Sequence, residues 1–161
     1  MPTSVKVYHT SKKDQWFTPK SFVENLEVYI RSKFTLDPCA CEISKKTDKF
    51  FSEQDDGLNQ SWQGEQVFCN PPYSNAKDWV KKALDEMEIA YKNKVEMRIV
   101  LLLASRTDTK MFCDLFVSDF ANDIFFVKGR ISFEDGKGTK PTPAPFPSVI
   151  VILESFPSND L

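Results

Sequence analysis

Apolar residues along this chain occur in two patterns. Short apolar runs lie at 34–37, 67–69, 97–104, 124–127 and 148–153, and apolar stripes with helical spacing lie at 19–31, 75–91 and 108–116. Such runs are typical of strands buried in a parallel sheet, and the stripes are typical of helices packed against it. Strands alternate with helices, and the last two strands have no helix between them. The pattern predicts an α/β domain with a mostly parallel sheet, an antiparallel edge strand and helices on both faces.

Polar residues mark where the helices begin. The first helix is expected from about Pro19 to Arg31 with Thr18 as its N-cap, because proline fits the first helical position. The candidate caps of the other two helices are Ser74 or Asn75 and Thr107 or Asp108. Their predicted buried stripes are Trp79, Val80, Ala83, Leu84, Met87 and Tyr91, and Met111, Phe112, Leu115 and Phe116.

Two stretches carry no regular pattern. Residues 39–65 are polar and are expected to form a long loop with at most one short helix or strand; such loops in compact domains are usually functional or disordered. Residues 136–147 hold two glycines and four prolines and are also expected to form a loop, while 130–133 could extend the strand at 124–127. The expected organisation is a flexible arm at 1–13, one domain at 14–155 and a tail at 156–161.

Composition narrows the class of protein. The chain has 161 residues, 41% of them hydrophobic and 27% charged, which suits one globular domain. No apolar run reaches the ~20 residues that cross a bilayer, and the N-terminus lacks the apolar core of a signal peptide, so a cytoplasmic protein is expected. The net charge of −2 means that any DNA contact must come from local basic clusters. These clusters are Lys77/Lys81/Lys82 and Lys128/Arg130/Lys137/Lys140, for which an ordinary solvated surface is the commoner explanation.

The spacing of the cysteines argues against a zinc site, and the number of histidines argues against a histidine-dependent hydrolase. Cys39 and Cys41 lack the two-residue gap of a zinc knuckle, so free thiols and no metal are expected. The single histidine, His9, argues against a hydrolase that depends on a Ser-His or Cys-His pair.

Residues 67–74 combine a short strand with a rigid corner. Pro71 and Pro72 fix two φ angles and remove two backbone donors, so neither a strand nor a helix continues through them. Asn70 and Tyr73 are therefore expected at the carboxyl end of a strand, where open α/β sheets place their chemistry. A plain strand-to-helix turn would use the same residue types.

This corner has the groups needed to activate a planar amine. The lone pair of the exocyclic amine of adenine is delocalised into the ring, and two acceptors on its N–H groups would favour the pyramidal form. The Asn70 side-chain oxygen and the Pro71 carbonyl are the candidate acceptors. Tyr73 offers a stacking face worth roughly 1–3 kcal/mol. The chemistry depends on positioning and electrostatics and needs no general base of unusual pKa.

The tetrapeptide at 70–73 resembles the catalytic motif of amino-methyltransferases that use S-adenosylmethionine. Further blocks, in order from about residue 14 to 153, resemble the phage-type DNA adenine-N6-methyltransferase family. The blocks are Asp14-x-Trp16-x-Thr18-Pro19, Thr35-Leu36-Asp37-Pro38-Cys39-Ala40, Asp55-Asp56-Gly57-Leu58, Trp62-x-Gly64, Ser105-Arg106-Thr107-Asp108-Thr109, Lys128-Gly129-Arg130 and Ala144-Pro145-Phe146-Pro147-Ser148. The resemblance implies a compact Rossmann-like methyltransferase sheet. It also implies methyl transfer from S-adenosylmethionine to a flipped adenine of double-stranded DNA.

The resemblance implies roles for individual residues. The catalytic set is Asn70, Pro71 and Tyr73. The cofactor set is Trp16, Thr18, Pro19, Asp37, Pro38, Cys39, Ala40, Asp55, Asp56 and Asn70. Thr18 and Pro19 are similar to the block that supports the carboxylate of the cofactor. Asp37 is similar to the acid near its methionine or ribose part, and Asp55 or Asp56 to the acid that binds its adenine amine.

The implied DNA-binding set is Tyr73, Arg106, Arg130 and Phe146. Phe146 could form the second face of an aromatic sandwich around the base, or it could be a core residue that leads into the last strand. No residues remain for a separate recognition domain, so short or modest sequence specificity, or dependence on a partner subunit, is expected.

One departure from the pattern of the family lies in the cofactor loop. Related enzymes follow the acidic-proline pair with a run of small residues that includes two glycines, whereas residues 39–42 contain none. Glu42 and Glu53 are the candidates for the ribose. Two other interpretations stay open: methylation of an amide or amine in protein or RNA, and a non-catalytic DNA-binding relative, which the missing glycines would favour.

Overall fold

The structure, a computed structural model, describes residues 16–135 and 141–155. The predicted arm at 1–13, the tail at 156–161 and the candidate DNA contacts Lys137 and Lys140 lie outside the described residues. Across the described ranges no helix is both long enough and apolar enough to span a bilayer.

The helices alternate with strands only in part, because two groups of strands follow one another with no α-helix between them. The helices are α1 (Lys20–Ile30), α2 (Ala76–Lys92) and α3 (Lys110–Phe116). The strands are β1 (Leu36–Asp37), β2 (Lys49–Phe50), β3 (Gln66–Cys69), β4 (Met97–Ala104), β5 (Ala121–Phe126), β6 (Ser132–Phe133), β7 (Thr142–Pro143) and β8 (Ser148–Ser155). Thus β1 to β3 follow α1, and β5 to β8 follow α3, with no α-helix between them. Short 3-10 turns lie at Gly57–Asn59 and Tyr73–Asn75.

Six strands form one sheet in the order β2-β1-β3-β4-β8-β5. The pairs β1–β2, β1–β3 and β3–β4 are parallel, and β8 is antiparallel to both β4 and β5. The predicted fold class, an α/β domain with a mostly parallel sheet, is confirmed. The antiparallel strand, however, lies inside the sheet and not at its edge. Its apolar run, 149–153, is buried between two neighbours, whereas the partly exposed β5 takes the edge.

The two faces of the sheet are covered by different helices, as predicted. Residues of β4 alternate between the faces: Ile99 and Leu101 pack with α2 and α3, while Val100 and Leu102 pack with α1. The same alternation in β8 explains why both strands are apolar over 99–103 and 149–153, where both faces of the sheet are covered.

Two of the three helix caps differ from the prediction by one or two residues. Pro19 occupies the cap position of α1, because the side chain of Thr18 is turned inward and is only 2% exposed. Thr109 caps α3 in place of 107 or 108, and its hydroxyl accepts a hydrogen bond from the backbone N–H of Phe112 at 3.3 Å. Asn75, one of the two predicted candidates, takes the cap position of α2.

Two residues of the predicted buried stripes are exposed instead. The buried stripe of α2 ends at Ala90, so the helical period turns Tyr91 towards solvent. Phe116 is the last residue of the short α3 and is also exposed.

The two predicted loops hold more regular structure than expected. Residues 39–65 contain both β2 and a 3-10 turn. The described part of the second loop, 141–147, contains β7, which pairs with β6 in a separate two-stranded sheet. Residues 130–133 therefore do not extend β5, and Gly129 (φ 74°) turns the chain before them.

A buried carboxylate ties the second half of the long loop to α2. Glu86 is 3% exposed and accepts hydrogen bonds from the backbone N–H of Trp62 at 3.1 Å and from the side-chain amide of Gln63 at 2.6 Å. It also forms an ion pair with Lys82, which is itself largely buried.

Glu86→Ala is expected to lower the free energy of unfolding by about 3 kcal/mol, because it leaves a buried N–H group and a largely buried ammonium group without their partner. Glu88→Ala breaks only an exposed pair with Lys92 on the same helix and is expected to cost at most about 0.5 kcal/mol. Urea unfolding of both variants measures the difference. Equal losses would contradict the role given to Glu86.

Candidate active site

The strand order brings the predicted site residues to one edge of the main sheet. Pro38 follows β1, Asn70 follows β3 and Ser105 follows β4, while Pro147 immediately precedes the antiparallel β8. The backbone N–H of Ser105 donates to the carbonyl of Pro147 at 2.8 Å and joins the last two segments. Open α/β sheets place their binding sites at this carboxyl edge.

The side chain of Asn70 is fixed by residues far away in the sequence. Its Nδ2 donates to the carbonyl oxygen of Trp16 at 2.7 Å and to Oγ1 of Thr18 at 3.0 Å. Both N–H groups of the amide are therefore used. The Asn70 Oδ1 atom is buried and has no hydrogen-bond partner among the described residues. A buried oxygen of this kind is an open acceptor.

The orientation of this amide follows from the chemistry of its neighbours. A backbone carbonyl can only accept, so a flipped Asn70 amide would place two acceptor oxygens, its own and that of Trp16, 2.7 Å apart. The observed orientation avoids this repulsion, and Oδ1 must point away from Trp16.

The residues after Asn70 hold a second acceptor in place. Pro71 is buried, and its carbonyl accepts no hydrogen bond from the described part of the chain. Pro72 (φ −57°, ψ 130°) turns the chain so that Tyr73 begins a 3-10 turn that leads directly into α2. The corner is therefore rigid on both sides of Tyr73.

Four aromatic rings pack together beside this corner; we call them the aromatic cluster. They are Trp16, Tyr73, Phe133 and Phe146. The ring centroids of Tyr73 and Phe146 are 4.3 Å apart at an interplanar angle of 61°, so the two rings touch and no base fits between them. Phe133 was not among the predicted site residues. Its contact with Trp16 depends on the pairing of β6 with β7, which no local pattern of residues indicates.

The hydroxyl group of Tyr73 is also buried and has no partner among the described residues. Burial raises the pKa of this hydroxyl above its ordinary value, so the side chain stays neutral at physiological pH. The side chain is therefore a neutral aromatic group, and its stacking on a base stays a prediction.

The carboxylate of Asp37, at the end of β1, binds backbone N–H groups of the loop that follows it. The carboxylate accepts the backbone N–H of Lys46 at 3.1 Å and that of Cys39 at 3.5 Å. Burial raises the pKa of Asp37 to about 6, against the opposing effect of these two hydrogen bonds and of the positive charge on Lys46. Its carboxylate therefore shapes the loop, and a direct contact with a cofactor stays a prediction.

The turn at 55–57 lies directly against the same loop. A Cβ atom on Gly57 would lie 2.0 Å from the carbonyl oxygen of Pro38, so this approach requires glycine. The indole N–H of Trp62 donates to the carbonyl of Gly57 at 2.9 Å and holds the turn there. Gly57 was predicted only as part of a turn; its place in an Asp-Asp-Gly sequence was the available signal.

The two candidate acids of this turn are held differently. Asp55 is exposed and accepts hydrogen bonds from the backbone N–H and the hydroxyl of Ser52 at 2.8 and 2.6 Å, which lower its pKa. Asp56 has a left-handed backbone (φ 53°) and accepts from the side-chain amide of Asn59 at 2.6 Å. Both acids directly precede Gly57, whose close approach to Pro38 places this turn against the loop that follows β1.

The two arginines of the candidate DNA-binding set lie near this edge but apart from the aromatic cluster. Arg106 is the second residue after β4, Arg130 follows the carboxyl end of β5, and both are exposed. No hydrogen bond or ion pair joins either side chain to Asn70 or Tyr73 within the described ranges. In the same ranges no group of three or more His, Cys, Asp or Glu side chains could hold a metal ion.

A mostly parallel α/β sheet with an Asn-Pro-Pro-Tyr corner at its carboxyl edge has the architecture of an amino-methyltransferase. The comparison with known proteins is more specific. The chain belongs to the DNA N-6-adenine-methyltransferase (Dam) family, whose family model matches residues 6–160.

Two phage proteins, each named DNA N-6-adenine-methyltransferase, are similar to the chain. The protein of Haemophilus phage HP1 is 32% identical over 147 residues, which cover 89% of this chain and 80% of the relative. The protein of Escherichia phage T1 is 30% identical over 142 residues, which cover 80% of this chain and 57% of the relative. The chain thus spans little more than half of the T1 protein.

Between pH 4 and pH 7, the free energy of unfolding of the wild type is expected to fall by roughly 2–3 kcal/mol relative to that of the Asp37→Asn variant. The native carboxyl, with its pKa raised to about 6, keeps a proton that the unfolded chain, with a value of 3.8, has already released. This stability is present below pH 4 and is lost as the pH rises through about 6. Urea unfolding of both proteins at several pH values measures the difference, and a wild type that gains stability relative to Asp37→Asn as the pH rises would contradict the prediction.

Proposed function

We propose that this chain transfers the methyl group of S-adenosylmethionine to the N6 amine of adenine in DNA. Membership of the adenine-N6 family supports the reaction and the substrate. The observation that carries the proposal is the buried Oδ1 of Asn70, which stays open as an acceptor while both N–H groups of the same amide are used.

Two open acceptors at one corner select an amine. Asn70 Oδ1 and the Pro71 carbonyl each accept one N–H of the adenine amine, which favours its pyramidal form and exposes its lone pair. A base that presents a carbonyl group at the same place would face two acceptors and be repelled. Both acceptors are neutral, so the corner works by position and electrostatics, and the proton released from the methylated amine passes to water.

The residues around the corner fit the cofactor that the family implies. S-adenosylmethionine, when bound, supplies an electrophilic methyl group, and the electron pair of the broken carbon–sulfur bond stays on sulfur. We assign its binding to the loop at 38–41 and the turn at 55–57, which Gly57 brings together. Cys39 and Ala40 are small enough to leave the loop backbone approachable without glycine. Asp37 adds a negative charge that favours a cationic sulfonium.

The aromatic cluster supplies the surface for the base. An adenine in a duplex is out of reach of the corner and must be flipped out of the stack. Tyr73 then offers its face, and Phe146 the second face. The two rings touch in this structure, so binding of the base requires them to separate.

Binding of DNA depends on local charge, because the chain carries a net charge of −2. Arg106 and Arg130, both exposed near the carboxyl edge, are assigned to the phosphates. Their contribution should weaken steeply with salt.

The acceptor can be identified directly. The protein is incubated with labelled S-adenosylmethionine and duplex DNA, RNA or a mixture of proteins, and the products are digested and separated. The proposal expects the label in N6-methyldeoxyadenosine from DNA. Label in glutamine, in an RNA nucleoside or in a cytosine would contradict it, and so would the absence of transfer to any acceptor.

Asn70→Ala is expected to lower kcat for DNA methylation by about 10²- to 10³-fold, the usual effect of removing one preorganised hydrogen-bonding group from an active site. Asn25→Ala removes the same side chain from an exposed position of α1 and is the matched control. Single-turnover transfer of labelled methyl groups measures both. An Asn70→Ala protein that is folded and fully active would refute the proposed role of the amide.

Phe146→Ala is expected to lower kcat/KM for DNA by about 5- to 100-fold, because one stacking face for the base is lost. Phe116→Ala removes an exposed phenylalanine of α3 and should leave kcat/KM unchanged. If Phe146→Ala instead loses only thermal stability and keeps its kcat/KM, Phe146 is a packing residue that leads into β8.

A further inference from the structure

The segment Trp16–Thr18, which we call the strap, contacts both central residues of the site. It is held in place by reciprocal backbone hydrogen bonds between Phe17 and Glu134, of 3.3 and 2.9 Å. The carbonyl and the ring of Trp16 contact Asn70 and the aromatic cluster, respectively. The hydroxyl of Thr18 contacts Asn70. The strap therefore lies directly behind the amide that we assign to the reaction.

We propose that Thr18 is a positioning residue, which sets the side-chain amide of Asn70 so that its Oδ1 faces the amine of the substrate. This inference rests on the proposed function of the site. It gives Thr18 a role other than support of the cofactor carboxylate, which the family resemblance implied. Thr18 is 2% exposed, and its Oγ1 lies 3.0 Å from Asn70 Nδ2.

The geometry of an amide explains why a second bond is needed. The last torsion of an asparagine side chain is broad, so one hydrogen bond, to the carbonyl of Trp16, restrains the amide nitrogen but leaves the tilt of the amide plane loose. The bond to Thr18 restrains the second N–H and therefore the plane. Oδ1 lies in that plane, so its direction is set as well. A small error in the direction of a hydrogen-bonding group lowers the rate of a reaction that depends on its position.

Two substitutions separate this role from the alternatives. Thr18→Val keeps the shape of the side chain but removes the hydroxyl, and Thr18→Ser keeps the hydroxyl. We expect Thr18→Val to lower kcat by about 3- to 10-fold, the effect of one neutral hydrogen bond, with KM for DNA and Kd for S-adenosylmethionine within about twofold of wild type. Thr18→Ser should restore kcat. Thermal melts of each variant confirm that the assay compares folded proteins.

Other outcomes would overturn the inference. A Thr18→Val protein with a raised Kd for S-adenosylmethionine and an unchanged kcat would assign the hydroxyl to the cofactor. Equal loss of kcat in Thr18→Val and Thr18→Ser would show that the volume of the side chain matters and the hydroxyl does not.

A second measurement does not depend on activity. The side-chain amide signals of Asn70 in ¹⁵N spectra are assigned by their loss in Asn70→Ala. They should be sharp and slow to exchange with solvent in the wild type and in Thr18→Ser, and should shift and exchange faster in Thr18→Val. Identical signals in all three would refute the positioning role. If the wild type does not methylate DNA, the proposed function fails, while these spectra still decide whether Thr18 orders the amide.

Discussion

The hydrogen bonds from the Asn70 amide to the strap join two parts of the chain that lie more than fifty residues apart in the sequence. Three other features of the site fix the position of this amide. The parallel strands bring Asn70 to the carboxyl edge, the two prolines stiffen the chain behind it, and the bridge between Phe17 and Glu134 holds the strap against it. Because both N–H groups of this amide are used, its oxygen can only accept, and in the proposed function it accepts from the amine of a flipped adenine.

Changes in the protonation of side chains have a small part in the proposed methyl transfer. The acid at the end of β1, Asp37, binds two backbone N–H groups of its own loop, and the buried Tyr73 stays neutral. The carboxylate thus shapes the loop that follows β1, which we assign to the cofactor, with help from the close contact between Gly57 and Pro38. This contact brings the acidic turn against a loop that has no glycine of its own. A reaction that needs two fixed acceptors and a stacking surface is compatible with such a site.

The sequence was sufficient where local pattern decides structure. The bounds of β4 were predicted correctly, and so were the corner at 70–73 and the family, because apolar runs, proline pairs and ordered motifs are local signals. It was insufficient where distant segments compete. The position of β8 in the sheet depends on which strands it pairs with. Thr18 is a residue type that often caps helices, but its side chain turns inward, where its hydroxyl oxygen accepts a hydrogen bond from Asn70. Likewise, Phe133 joins the aromatic cluster only through the pairing of β6 and β7.

The central claim is that Asn70 presents its oxygen, and not its nitrogen, to an adenine amine. A crystal structure of the protein with S-adenosylhomocysteine and an adenine-containing duplex tests this claim most directly. The account predicts a flipped adenine whose N6 lies about 2.7–3.2 Å from Oδ1 of Asn70, with Nδ2 still bound to Trp16 and Thr18. A complex in which Nδ2 faces the base, or in which the amine of the flipped base is bound elsewhere, would contradict it.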